Sequence, residues 1–270
     1  MIVDAHTHLF ERFEYLEGLT AEQMIANMDR AGIDVAVLFT VDGLLGDYHA
    51  SNEQIAETAS RFPDRFIPFA SVNPRDGDVA LLEMERAVRE LGCRGVKLHP
   101  WWTSFPANSP ASLDVARQGD ALGIPFLIHS GTPPTSTPLQ IAEMARVAPR
   151  ATFILGHMGL PDLWKEALSA ARRYPNILLE TCGTPSLAIQ VAVERLGAER
   201  VVYGSDMPFG GSANVFFQLQ KIRDLAFSSA AEQLVLGGNM ERLLGLGRSG
   251  GAEGADTPHV GGDAGEVDDD

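Results

Sequence analysis

Eight short apolar runs recur along the chain with amphipathic stretches between them: "IVDAHTH", "DVAVLFT", "FIPFASV", "GVKLH", "PFLIHS", "TFILGH", "NILLET" and "RVVYGSD". A strand covered on both faces reads as a near-continuous apolar run, and a helix between two such strands makes them pair in parallel. The intervening segments carry helix punctuation. In "TAEQMIANMDRAG", Thr20 and Gln23 stand at capping-box spacing and Gly32 follows the last turn, while Gly92 and Gly123 close two later segments. Eight strand–helix units in about 250 residues is the count for an α/β chain folded as a (β/α)8 TIM barrel. A doubly wound open sheet is the competing architecture, but no strand is followed by its Gly-rich turn. "GGNMERLLGL" reads as a short closing helix, and no linker divides the body. Residues 1–246 are therefore expected to form a single domain.

The end of the chain, "SGGAEGADTPHVGGDAGEVDDD", is rich in Gly and acid and has no apolar periodicity, so residues 247–270 are expected to be a disordered acidic tail. It carries His259 and part of the formal charge of −15. So negative a chain argues against a nucleic-acid partner. No apolar run is long enough to span a bilayer, and no basic region precedes an apolar stretch at the N-terminus. These features, with Cys93 and Cys182 as the only cysteines, predict a cytoplasmic protein with reduced core thiols and no membrane association. The expected partner is a small-molecule substrate; a homodimer is compatible with this reading.

Polar residues interrupt the first strand. Asp4, His6 and His8 occupy alternate positions, and strict alternation sends all three to one face. His8, His99, His129 and His157 each fall at or beside the C-terminal end of a different strand, and Asp206 ends the last one. A barrel keeps its active site at those ends. Any one of these histidines could be a satisfied core residue, but the set could not. Burying several imidazoles and carboxylates without partners costs about 1–3 kcal/mol per unsatisfied group. A divalent cation removes the conflict by taking imidazole nitrogen and carboxylate oxygen together, so His6 and His8 are expected to reach one metal. Asp4 lies deepest of the three and is expected to anchor the strand or orient a ligand.

"DAHTH" on the first strand, "HS" after the fifth, "GH" after the sixth and "GSD" after the eighth resemble the amidohydrolase superfamily. "GVKLHP", "LGHMG", "VVYGSDMP" and "GNMERLLGL" are similar to its amidohydrolase-related group, which includes pyrone-dicarboxylate lactonase and non-oxidative decarboxylases of aminocarboxymuconate semialdehyde and aromatic acids. The resemblance runs from Met1 to about Leu246. It implies that His6, His8, His129 and Asp206 bind the metal, and that His157 is the acid/base or charge-stabilising group of a one-metal site or a ligand of a second metal. Two-metal members often place a carboxylated lysine on strand four. Here Lys97 and His99 both lie there; His99 is expected to line the pocket and Lys97 to be unmodified, paired with a carboxylate such as Asp4.

Zn²⁺ is the ion favoured by histidine-rich ligation, with Mn²⁺, Fe²⁺ and Co²⁺ also compatible. Such an ion lowers the pKa of its water and polarises a carbonyl, and Asp206 can accept the water's proton while His157 stabilises the oxyanion. That chemistry predicts a hydrolase of a small carboxylated lactone, ester or amide. The alternative is a lyase performing non-oxidative decarboxylation of a small aromatic or unsaturated acid, and a barrel that binds without catalysing ranks third. His99 and Trp101, with Trp102 beside them, are expected to meet the substrate. Arg12 and Arg75, on strand-to-helix loops, are candidates to hold its carboxylate. Asn73 reads either as a pocket residue or as a cap of the next turn, and Glu180 either faces the site or pairs with Lys97 or a surface cation.

Overall fold

Each apolar run becomes a strand in the computed structural model, which describes residues 1–247. The strands are β1 (Val3–Leu9), β2 (Val35–Thr40), β3 (in two pieces, Phe66–Pro68 and Ala70–Ser71), β4 (Val96–Leu98), β5 (Phe126–His129), β6 (Phe153–Gly156), β7 (Ile177–Glu180) and β8 (Val201–Val202). Each is parallel to its neighbours in sequence order. Past the short ladder of β8 the backbone closes onto β1. Ala5 N–H donates to the Tyr203 carbonyl (3.0 Å), Asp206 N–H to His6 (2.9 Å) and His8 N–H to Met207 (2.7 Å). The result is a closed (β/α)8 TIM barrel, as the alternation of elements predicts.

Eight helices follow the strands in turn: α1 (Ala21–Ala31), α2 (Tyr48–Arg61), α3 (Asp78–Arg89), α4 (Pro110–Leu122), α5 (Pro138–Val147), α6 (Leu160–Arg173), α7 (Ser186–Leu196) and α8 (Ser212–Arg223). Thr20 and Gln23 form the expected capping box of α1, and Gly32 and Gly123 close α1 and α4 in the left-handed conformation. Gly92 is left-handed as well, but α3 ends at Arg89, so this glycine turns the connecting loop instead of capping the helix. The loop after β1 holds a small hairpin, Arg12–Phe13 against Leu16–Glu17. A short helix, Asn239–Leu244, ends the described barrel. Among the described residues no helix is long and apolar enough to cross a membrane. The acidic tail from residue 248 onward lies outside the described residues.

Two apolar layers follow from strand alternation. Leu38, Val96, Phe126, Phe153, Leu179 and Tyr203 face the helices. Val3, Ala5, Val37, Phe39, Ile67, Phe69, Leu127, Ile154, Leu178 and Val202 fill the lower interior, closed from below by Met240 and Leu244. That plug leaves only the upper end of the barrel for polar side chains.

On β1 the strict alternation read from the sequence fails. Asp4 pairs with Ala36 but Thr7 with Leu38, so a bulge places three steps of β1 opposite two of β2. Val3 and Ala5 therefore share the interior with Phe39, and beyond the bulge His6 and His8 do too, both packing their rings on Phe39. Asp4 is separated from this face. Its carboxylate accepts from the backbone N–H groups of His6 (3.1 Å) and Ser205 (2.9 Å), tying β1 to the β8 end. Lys97 is not its partner.

Candidate metal centre and its cavity

At the upper end of the interior, His6 Nε2, His8 Nε2 and Asp206 Oδ1 converge. His8 Nε2 lies 3.2 Å from His6 Nε2 and 3.0 Å from Asp206 Oδ1, and His6 Nε2 is 3.2 Å from the same oxygen. The strand ends bring them together by different routes. His6 and His8 are adjacent inward positions beyond the β1 bulge. Asp206 adopts a left-handed backbone (φ +63°) just after β8, a conformation aspartate tolerates better than most residues, and keeps about a fifth of its side chain (21%) open.

Glu180, at the end of β7, organises the group from behind. One carboxylate oxygen accepts from His6 Nδ1 (3.1 Å) and from the His157 backbone N–H (2.8 Å), and the other accepts from the Cys182 backbone N–H. Burial pushes the Glu180 carboxyl up to about 7, against the pull of those two backbone donors. With Nδ1 donating to Glu180, His6 turns its Nε2 lone pair into the cavity. This is the carboxylate–histidine arrangement that fixes a metal ligand's tautomer. Burial and the charge of Lys97 hold His6 well below the ordinary imidazole range, and burial lowers His8 to about 4, so both imidazoles are neutral at neutral pH. The His6 Nε2 lone pair accepts from Lys97 (2.9 Å), a contact that a bound ion would displace. Asp206 ends below the usual carboxylate range; burial opposes this, but the His8 hydrogen bond and the charges of His157, His8 and Lys97 prevail. Two imidazole lone pairs and a carboxylate at mutual distances near 3 Å suit a divalent cation, whose bonds to such atoms are about 2.0–2.2 Å long. The donor set fits the ion.

The other residues singled out from the sequence are distributed as follows. His157 is buried at the mouth of β6, also left-handed (φ +67°). It comes within metal-ligand reach of His6 and Glu180 on one side and of Cys182 and Asp206 on the other. Burial lowers its pKa. His129 lines the same cavity; its Nε2 engages Thr132 Oγ1 (2.9 Å), which leaves Nδ1 as the nitrogen it could offer an ion, and it is absent from these clusters. His99 stacks between Trp102 (centroids 3.9 Å, planes 7° apart) and His129 (4.1 Å, 17°), and its Nδ1 accepts from the Trp102 backbone N–H. Trp101 lines the cavity while half exposed. Lys97 points its ammonium at His6 Nε2 (2.9 Å) and over the Phe39 ring, and burial lowers its pKa to about 8.

Two expectations are not met. Arg12 is exposed on the hairpin with its guanidinium on the Glu14 carbonyl, and Arg75 is exposed on the turn after Asn73; neither lines the cavity. Asn73 caps that turn through the Arg75 backbone N–H. Conversely, Phe209, Cys182, Asn214 and Gln218 line the cavity and were not singled out as such. The polar spacing of Asn214, Gln218 and Lys221 on the helix after β8 was the available signal, since residues four and three apart share a helix face. The cavity measures about 420 Å³.

A (β/α)8 barrel with histidines and an aspartate converging at the C-terminal ends of its strands defines a metal-centred barrel enzyme. The chain belongs to the amidohydrolase family, whose model matches residues 3–246. It is 25% identical over 211 residues to the gamma-resorcylate decarboxylase of Rhizobium radiobacter, an alignment spanning 59% of this chain and 64% of that protein. Its fold matches the crystal structure of a 2,6-dihydroxybenzoate decarboxylase complexed with 2,6-dihydroxybenzoate (TM-score 0.73, 20% identity, 91% of this chain and 99% of that chain). It also matches a 5-carboxyvanillate decarboxylase from Novosphingobium aromaticivorans complexed with manganese and 4-hydroxy-3-methoxy-5-nitrobenzoic acid (TM-score 0.69, 22% identity, 84% and 81%).

Proposed function

We propose that residues 1–246 form one catalytic domain that decarboxylates a small planar aromatic or unsaturated carboxylic acid without oxidation, using one divalent metal ion held by His6, His8 and Asp206. The order of the two readings drawn from the sequence is thereby reversed. The observation that carries the choice is the flat aromatic wall beside the ligand cluster. The His99–Trp102 stack and Phe209 border the same cavity, and planar rings are best recognised by planar rings. The likeness to decarboxylases of hydroxylated benzoates supports the same reading, as does a cavity of about 420 Å³, enough for one aromatic ring and its substituents.

The ion, when bound, would withdraw electron density from the substrate's carboxylate or a neighbouring hydroxyl. Manganese and zinc both suit the mixed nitrogen and oxygen donors. The chain's own groups supply the rest. His99, Trp102 and Phe209 align the ring and exclude water from its face. Decarboxylation replaces the carbon–carboxyl bond with a carbon–hydrogen bond, so one proton must reach the ring carbon as CO2 departs. His157 and Asp206 face both the metal cluster and the cavity. Each is unprotonated at neutral pH, so they act as relays, taking a proton from the substrate's hydroxyl or from solvent and passing it to the ring carbon. Glu180 keeps His157 in place through its backbone N–H, and Thr184 Oγ1 donates to the His157 carbonyl (3.0 Å).

The experiment is incubation of the metal-replete protein with carboxyl-¹³C 2,6-dihydroxybenzoate and related hydroxybenzoates, with a parallel panel of carboxylated lactones. Labelled CO2 equimolar with the decarboxylated arene is the expected result, lost in the His8→Ala variant. Lactone opening without CO2 release overturns the proposal in favour of hydrolysis.

A further inference from the structure

One wall of the cavity is the inner face of α8, and its chemistry is unusual for a helix packed on a barrel. Val215, Leu219 and Ile222 are buried as expected, but Gln218 and Lys221 are buried among them (5% and 8% exposed). The Lys221 ammonium has no carboxylate within 4 Å among the described residues. It donates instead to the Gln218 side-chain oxygen (2.6 Å) and to the backbone carbonyls of Thr181 (2.8 Å) and Thr184 (3.1 Å). A lysine has three N–H donors and no acceptor, so all three are used and the Gln218 oxygen must face it. The Gln218 amide nitrogen therefore faces the other way and donates to Asn214 Oδ1 (3.1 Å). Asn214 is fixed in turn, because its own nitrogen donates to the carbonyls of Ser205 and Phe209 (2.9 Å each). Every amide in the series has one permitted orientation.

The consequence lies at Gln218. Its nitrogen carries two hydrogens and only one is used within the series, while both Gln218 and Asn214 line the cavity. Among the cavity-lining residues none is lysine or arginine; Lys221 stands one hydrogen bond behind Gln218, as Lys97 stands one hydrogen bond behind His6. Its charge bears on His157 and Glu180 as well.

We propose that Gln218, oriented by Lys221, is a substrate-positioning residue whose free amide N–H donates to an anionic oxygen of the carboxylic-acid substrate. This deepens the reading of the cavity as an aromatic-acid site and rests on it. Two substitutions separate a donor from a structural prop. Gln218→Glu keeps the length and the contact with Lys221, yet presents an anion instead of a donor, both to the substrate and to Asn214 Oδ1. Gln218→Leu removes the donor and keeps the bulk.

The probe is benzoate, which carries the carboxylate whichever reaction the protein catalyses, titrated into the metal-replete protein and followed through Trp101 and Trp102 fluorescence. The expected result is a Kd raised at least about tenfold in both variants, the loss expected for one charge-assisted hydrogen bond. Metal content should be unchanged in both variants, and in turnover KM should rise while kcat stays within about threefold. Benzoate binding of wild-type strength in either variant overturns the proposal, as does a wild-type protein that does not bind benzoate at millimolar concentration. Wild-type binding that weakens in both variants, without CO2 release from hydroxybenzoates, retains the subsite and removes the decarboxylase reading.

Discussion

Gly204 is the tightest point of the site, and replacing it with alanine tests how rigidly Glu180 is held. The Gly204 backbone is not in the left-handed region, so alanine meets no conformational penalty there. What it meets is packing. A Cβ at this position would lie 2.8 Å from the Glu180 carboxyl carbon and 2.9 Å from His6 Cβ, and would overlap Glu180 Oε1. Glu180 cannot swing aside freely, because its oxygens are clasped by His6 Nδ1 and by the backbone N–H groups of His157 and Cys182. Overpacking a rigid interior costs about 1–3 kcal/mol, which for a domain of this size is a drop in melting temperature of roughly 3–10 °C. The displaced carboxylate would also release the His6 tautomer, and losing such a support weakens metal binding about 10–100-fold. Thermal denaturation of metal-free Gly204→Ala and competition of a fluorescent chelator for Zn²⁺ or Mn²⁺ measure the two effects. Adding Glu180→Asp, shorter by one methylene, should restore part of the lost melting temperature. If Gly204→Ala melts within 1–2 °C of wild type and holds metal within about threefold, the account of Glu180 as a fixed organiser is wrong.

The metal-free protein should lose stability in mild acid. Five imidazoles, His6, His8, His99, His129 and His157, are lowered chiefly by burial, His8 from 6.5 to about 4. Between those two values the unfolded chain binds protons that the folded one refuses, so stability rises with pH across that window, by about 3 kcal/mol for His8 alone. Asp4 and Glu180, raised to about 7, act in the opposite sense from below pH 5 up to that value, but two carboxylates face five imidazoles. Urea denaturation at pH 5 and at pH 6.5 should therefore give the higher midpoint at pH 6.5, and a higher midpoint at pH 5 would refute the balance. Arg12→Ala and Arg75→Ala should leave substrate KM within about twofold, since both side chains are exposed and outside the cavity; a tenfold rise from either in steady-state kinetics would show that the mouth closes in solution.

The barrel was legible because its code is local. Strand runs, the Thr20 capping box and the glycines at the ends of α1 and α4 each depend on a few consecutive residues. The positions of His6, His8 and Asp206 at strand ends were legible for the same reason, since the fold class alone says where strand ends meet. Asp4 was misplaced by one local irregularity. A bulge sets three steps of one strand against two of its neighbour, and no single strand's sequence records it.

The rest belonged to side-chain reach and could be decided only by the tertiary structure. Glu180 could be read as inward-facing, but its clasp on His6, His157 and Cys182 joins β1, β6 and β7, which come together only when the barrel closes. Arg12 and Arg75 sit on loops that the sequence places at the mouth, and only the course of those loops turns both away from it. Lys221 and Gln218 lie three apart on α8, and only the tertiary structure makes that helix a wall of the cavity. Sequence by itself fixes what repeats along the chain, because period and punctuation act over a few residues; the centre is made by groups tens to hundreds of residues apart, and their contacts exist only in three dimensions.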